Sequence, residues 1–239
     1  MIVAIQQPEH IPWIGFFNKM AQCDLFILLD NVQFKKRYFE NRNRILGRDG
    51  VGWLNVPVVS KGRYRQSISA VQIADEAAWR RKYMEQLRYA YGKHPHGGPM
   101  LELMKPVIMA KMPSLCELNI QAIVAIRDYL GIDTPIRLAS ELIQDDAVRG
   151  HELILALCRT SGGKLYISGP DGSNYLDAQA FARHNIDICY HHFEHPVYNQ
   201  KPEGGEFVSH LSILDLIANH GPEAFKVVRA FKLDLTGVE

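Results

Sequence analysis

The sequence predicts an α/β fold: a mainly parallel, Rossmann-like sheet with an antiparallel β insertion and a helical segment. Three observations carry this expectation. Short apolar runs at Met1–Gln6, Leu25–Asp30, Pro135–Leu138, Leu165–Ser168 and Ile186–Phe193 have the length and continuity of buried strands. Stretches of helical periodicity lie between them, the order that builds a parallel sheet from βαβ units. Residues 31–74 break the pattern. Segments near 33–46, 51–59 and 67–73 alternate, with turns at Arg48-Asp49-Gly50 and Lys61-Gly62.

Each element has a local reason. The first strand runs up to Pro8, and Gly15–Gln22 follows as a short two-faced helix. The second strand closes on an acid, Asp30. From Glu76 to Lys93, Trp79, Tyr83, Leu87 and Tyr91 recur at spacing four, which is an amphipathic helix. Further helices span 98–111 and 114–130; Pro113 and Ser114 start the second and Gly131 ends it. Residues 76–131 therefore read as a helical segment. Gly150–Thr160 is helical up to Ser161-Gly162-Gly163, Ala178–His184 is helical, and Leu211–His220 ends at Gly221-Pro222. Residues 1–239 read as a single α/β domain in which 31–74 is a β-rich basic insertion.

Composition excludes several classes. Hydrophobic residues are 47% and charged residues 22% of the 239, ordinary for a globular chain and unlike a disordered, collagenous or coiled-coil one. No apolar run approaches the roughly 18 residues of a membrane span. The N-terminus lacks the pattern of a secretory signal, so a cytoplasmic protein without membrane insertion is expected. Cys23, Cys116, Cys158 and Cys189 form no CxxC pair. The net charge of +1 hides an asymmetry: residues 35–65 hold nine bases against Glu40 and Asp49, a net of +7. That concentration points to an anionic small molecule; no nucleic-acid-binding motif accompanies it, and no nucleic-acid partner is expected.

The candidate site residues fall in three places. Ligands of open α/β sheets bind outside the carboxyl ends of the strands. The loop after strand one, from Gln7 through His10 and Trp13 to Gly15, leaves such an end, and the helix start behind it offers free amides to an anion. His10 is a candidate proton donor or phosphate contact, with loop stabilisation as its competing role; for Trp13 the competing role is core packing. Asp30 could orient a hydroxyl or act as a base, or cap a turn. In Asn41-Arg42-Asn43-Arg44, alternation sends the asparagines to one face and the arginines to the other, so one pair faces a ligand. The run from Tyr166 to Tyr175 is a strand with a small-residue loop, bringing Ser168, Gly169, Ser173 and Tyr175 near a phosphate, without the lysine of a P-loop. His191 and His192 are adjacent on a strand and point apart, so no metal site is expected. Ser212 and Asp215 make an N-capping pattern, and the same stretch, with His210, could approach the ligand. No nucleophile elbow is present.

These residues together resemble the WbqC-like protein family. The matching pieces are Gln7-Pro8 with Pro12 to Phe17 and Lys19; Asp24 with Leu29-Asp30; Gln33-Phe34; Asn41-Arg42-Asn43; Trp53-Leu54 with Val56-Pro57; Ile167-Ser168-Gly169 with Tyr175-Leu176; Tyr198; and His210 to Asp215. The family is associated with gene clusters for O-antigen and other surface polysaccharides and with small-molecule pathways. The resemblance implies a transferase that acylates or aminoacylates a nucleotide-linked amino sugar. In that reading His10, Asp30 and His210 are catalytic candidates. Lys35, Lys36 and Arg42 neutralise charge, and Gln7, Trp13, Gly15, Lys19, Asn41, Asn43, Ser168, Gly169, Ser173, Tyr175 and Asp215 bind substrate. The expected partner is a phosphate-bearing small molecule, a nucleotide sugar or a nucleotide; the cofactor and oligomeric state are left open. A second similarity is architectural, to nucleotidylyltransferase-type folds. Those enzymes place His-x-Gly-His in the first loop, where both histidine positions are aromatic here. Two rivals follow: a degenerate nucleotidylyltransferase or ligase-type enzyme, and a non-catalytic nucleotide-sugar-binding or scaffold protein.

Overall fold

A computed structural model describes residues 1–74, 78–145, 147–200 and 205–233. In chain order the elements are β1 (Ile2–Gln6), α1 (Ile14–Met20), β2 (Leu25–Leu28), β3 (Arg42–Gly47), β4 (Gly50–Asn55), α2 (Trp79–Tyr91), α3 (Gly97–Met109), α4 (Leu115–Tyr129), β5 (Ile136–Leu138), α5 (Ala139–Leu142), α6 (Gly150–Thr160), β6 (Leu165–Ser168), α7 (Ala178–Arg183), β7 (Asp187–Tyr190), α8 (Ile213–His220) and α9 (Ala224–Ala230).

Five strands pair in parallel in the order β5-β2-β1-β6-β7. Side-chain alternation explains the continuous apolar runs. Val3, Ile5, Ile27 and Tyr166 enter one buried cluster with Leu157 and Phe181. Ala4, Phe26, Leu28 and Ile167 enter the other, with Phe16 and Phe17 of α1 and the helices α2, α3, α4 and α8. The order also fixes where a ligand can sit. From β1 the chain steps through β2 to β5 on one side and later places β6 and β7 on the other. The reversal lies between β1 and β6, and the crevice at that switch point opens beyond Gln6 and Ser168.

The insertion is less regular than the sequence predicts. Only β3 and β4 form a ladder, a two-stranded antiparallel sheet separate from the main one. The strand expected from residue 33 starts at Arg42, because residues 35–38 turn, with Tyr38 N–H donating to the Lys35 carbonyl and Arg37 at φ +62°. The segment near 67–73 is a 3₁₀ turn at Ile68–Ala70 held by isolated bridges. The last strand ends at Tyr190 rather than Phe193, where His192 N–H turns back to the Tyr190 carbonyl. The small-residue loop after β6 winds into a 3₁₀ turn at Pro170–Asn174, and α5 and α9 have no counterpart in the sequence reading. The helix start expected at Glu76 lies outside the described residues.

Two buried asparagines and a serine fasten the loop after β1. Asn119 of α4 donates to the Pro8 carbonyl at 2.8 Å and the Glu40 carbonyl at 2.7 Å, while its Oδ1 meets His10 Nδ1 at 2.9 Å. Asn43 donates to the carbonyls of His10 and Ile11. Ser212 Oγ donates to the Ile11 carbonyl, and Ile213 N–H to that of Pro12. They hold a backbone that Ile11, at φ +37°, would not adopt freely. Asn119→Ala strips these groups of partners inside the core. We expect it to cost about 3 kcal/mol. In a chain of this size that is a fall of roughly 6–12 °C in melting temperature. A fall of less than about 2 °C by calorimetry would contradict this fastening role.

Candidate functional site

Three segments meet at the switch point: residues 6–10 from the last residue of β1 onward, residues 35–40 of the insertion, and residues 168–175 from the last residue of β6 onward. Behind them lies Lys19 of α1, only 3% exposed. Its ammonium donates to Gln6 Oε1 and points toward the Ile5 carbonyl. Gln6 Nε2 in turn donates to Glu9 Oε1 at 2.9 Å. Burial pushes the Glu9 carboxyl up, against the pull of Gln6 and of the Lys19 charge. Burial pushes Lys19 down to about 8, against the pull of Glu9. Each ion of this pair is sustained by the other.

Glu40 adds a second carboxyl. It is fully buried, and neither oxygen makes a hydrogen bond of good geometry among the described residues. Burial raises it to about 7; the Glu9 charge adds to the rise, while nearby backbone amides and Lys35 lower it. Burial raises Tyr38, 47% exposed, and the charges of Glu9, Glu40 and Asp171 add to the rise. Ser168 is buried beside the Tyr166 and Tyr175 hydroxyls, and its Oγ makes no bond of good geometry. A Cβ at Gly172 would fall 2.0 Å from that Oγ, so only glycine lets the loop fold over it.

The structure redistributes the roles expected from the sequence. His10 is fully enclosed, with Nδ1 on Asn119 and Nε2 2.6 Å from the Tyr83 hydroxyl; burial pushes it down to about 4. It is neutral at ordinary pH and fastens the loop, so its expected contact with a ligand is corrected. Asp30 is corrected likewise: it is buried at the end of β2, where Ser140 N–H and Oγ donate to its two oxygens at the start of α5. Asn43 is a backbone clamp, Asn41 donates to the Val56 carbonyl, and the Arg42 guanidinium lies 3.9 Å from the centre of the Trp53 ring. Asn41 and Arg42 hold the hairpin, and Asn43 ties it to the loop after β1 at His10 and Ile11.

Trp13 roofs the start of α1. A Cβ on Gly15 would lie 2.4 Å from its ring, and the indole stacks on His210 at 4.9 Å and on His195 at 6.2 Å. The expected anion contact at that helix start is therefore covered. His210, at φ +58°, meets Ser209 Oγ at 2.8 Å, and burial and Arg44 lower it. Asp215 is buried in α8 and accepts from Tyr198 Oη at 2.9 Å; burial raises it to about 6. His191 is buried with Nε2 2.7 Å from Asn18 Oδ1, and His192 is exposed. No group of three metal-ligating side chains is placed to hold an ion among the described residues.

Around the crevice remain Gln7, Lys19, Ser168, Gly169 and Tyr175 of the expected set, with Lys35 beside Glu40. Lys36 lies exposed on the 35–40 turn, and the exposed Ser173 donates to the Pro170 carbonyl. Gln6, Glu9, Tyr38, Glu40 and Asp171 were not among the sequence candidates. Glu40 did leave a signal: it is a lone acid among the bases of residues 35–48, followed only by Asp49.

Comparison with known proteins agrees across most of the chain. Residues 7–227 match the WbqC-like protein family. The uncharacterized protein Rv1507c of Mycobacterium tuberculosis is 35% identical over 224 residues, 93% of this chain and 95% of that protein. No solved structure matches. The chain belongs to the WbqC-like protein family.

The buried groups set the pH dependence of stability with opposing signs. His10 and His191, both lowered to about 4, stay neutral in the fold while the unfolded chain takes up protons below 6.5; stability therefore rises with pH from 4 to 6.5. Glu40, raised to about 7 from 4.5, keeps its proton in the fold after the unfolded chain has lost it; stability falls with pH from 4.5 to 7. Asp215 acts in the same sense between 3.8 and 6. Glu40→Gln removes one opposing group. Urea unfolding of that variant is expected to show stability climbing more steeply between pH 4.5 and 7 than in the parent; equal slopes would refute the burial of a protonated Glu40.

Proposed function

We propose that this member of the WbqC-like protein family is a cytoplasmic transferase that acylates or aminoacylates the amine of a phosphate-bearing small molecule, a nucleotide-linked amino sugar. The observation that carries this reading is Glu40: a buried carboxyl raised to about 7, beside the Glu9–Lys19 pair, at the switch point of a parallel sheet. An amine attacks a carbonyl only after losing its proton, and a base that titrates near the working pH is suited to take it. Glu40 is enclosed in the described state; it accepts that proton once the 35–40 turn shifts to admit the amine, as the new C–N bond forms. The bond from the acyl carbon to its leaving group breaks, and the leaving group departs with the electron pair. Lys35, exposed and close enough to lower Glu40, offsets negative charge on the substrate. Lys19 and Glu9 act behind the surface, fixing the field around Glu40.

The test pairs nucleotide-linked amino sugars with acyl thioesters and acyl adenylates and detects the amide by mass spectrometry. The parent is expected to form amide at a rate that rises with pH through about 7 and then levels. Glu40→Gln is expected to lose at least about 100-fold in rate. It should keep the rise in melting temperature that the bound sugar nucleotide produces. Ligand binding without amide formation by any pair, or full activity in Glu40→Gln, would overturn the reading.

A further inference from the structure

A second cavity, of about 510 Å³, opens at the carboxyl end of β2, and neither Glu40 nor Glu9 is among the described residues that line it. Its volume lies within the roughly 300–1,000 Å³ of small-molecule sites. Three separate parts of the chain wall it: Asn31 and Gln33 after β2, Arg65 of the insertion, and Arg149 with Leu153 at the start of α6. We infer that this cleft is a recognition site for a nucleoside diphosphate.

The chemistry of the walls makes the case. Arg65 and Arg149, from unrelated segments, both line this one space, and arginine binds phosphate oxygens in pairs. The carboxyl of Asp145 at the rim is held by Ala147 N–H. Asn31, which also lines the cleft, has an Oδ1 with no hydrogen-bond partner among the described residues, an acceptor that a small side-chain rotation would present to a base N–H or a ribose hydroxyl. Leu153, 3% exposed, supplies an apolar floor. The first amides of the eleven-residue α6 also face this end, and the Arg149 side chain does not cap them.

The cleft and the Glu40 crevice open side by side. Leu28 pairs with Gln6, and Leu29 N–H donates to the Gln6 carbonyl at 2.8 Å. Adjacent strands are about 4.8 Å apart. The segment that lines the cleft at Gln33 reaches the crevice at Lys35, two residues on. The inference thus extends the reading of a nucleotide-linked substrate, and rests on it for the link between the two sites: the nucleotide in the cleft, the amino sugar at Glu40.

Calorimetric titration with UDP, ADP, uridine, adenosine and inorganic phosphate tests it on the parent, Arg65→Ala, Arg149→Ala and Glu40→Gln. Both arginines are exposed, so the variants should fold. At least one diphosphate is expected to bind the parent about tenfold or more tighter than its nucleoside or phosphate. Each arginine variant should weaken it about tenfold. Equal affinity in parent and arginine variants, no binding of either diphosphate, or phosphate binding as tight as the diphosphate would overturn the inference. Glu40→Gln separates the two readings. Loss of amide formation there, with diphosphate affinity indifferent to the arginines, defeats the cleft alone. Full activity there, with the arginine effect intact, defeats the base alone.

Discussion

A buried ammonium cannot stay charged behind the end of a central strand unless carboxylate and amide oxygens surround it. Lys19 is in that position, and much of the neighbouring structure follows from it. Glu9 must turn inward to face the ammonium, with Gln6 bridging the two. The loop that carries Glu9 is then bent back beneath α4 and the hairpin. Its exposed-looking backbone carbonyls are taken up by Asn119, Asn43 and Ser212. The same clamp fixes the carbonyl of Glu40, so one buried asparagine places both carboxyls of the crevice. In this arrangement the scaffold and the site share their polar core.

The fold was legible where chain-local physics decides it. β1, β2 and β6 are uninterrupted apolar runs because both faces of the sheet are covered, and α2 shows spacing four because one face packs inward. The strand order was not legible, since no local pattern states which strand neighbours which. The crevice between β1 and β6 emerges only once Ile2 pairs with Leu165. Side-chain roles failed in an instructive direction. In sequence His10 is a candidate proton donor or phosphate contact; burial lowers it to about 4 and leaves it neutral. Glu40 was passed over as a counter-charge among bases, and burial gives it the titration range that His10 lost. Asn43, Ser212 and Trp13 stand out in sequence yet serve the backbone and an aromatic roof.

The charge asymmetry survives folding. Among the described residues, the ion pairs in direct contact, within 4 Å, join Arg81 to Glu85, Arg127 to Asp128, Arg137 to Glu141, Arg183 to Asp177 and Lys226 to Glu223. The bases of residues 35–65 enter none of them. Several instead lie on aromatic rings, as Lys35 does on Tyr38, Arg42 on Trp53 and Arg48 on Tyr89. Such contacts hold a cation in place without neutralising it. The insertion therefore keeps a positive surface beside the carboxyl ends of the strands, which raises the local concentration of anions there.

The central claim is that Glu40 titrates near neutrality inside this crevice. Carbon-13 spectra of protein labelled at glutamate side-chain carboxyls measure it directly. The account requires one carboxyl with a midpoint near 7, absent from the spectrum of Glu40→Gln. A parent protein in which every glutamate titrates between about 4 and 5 would contradict it.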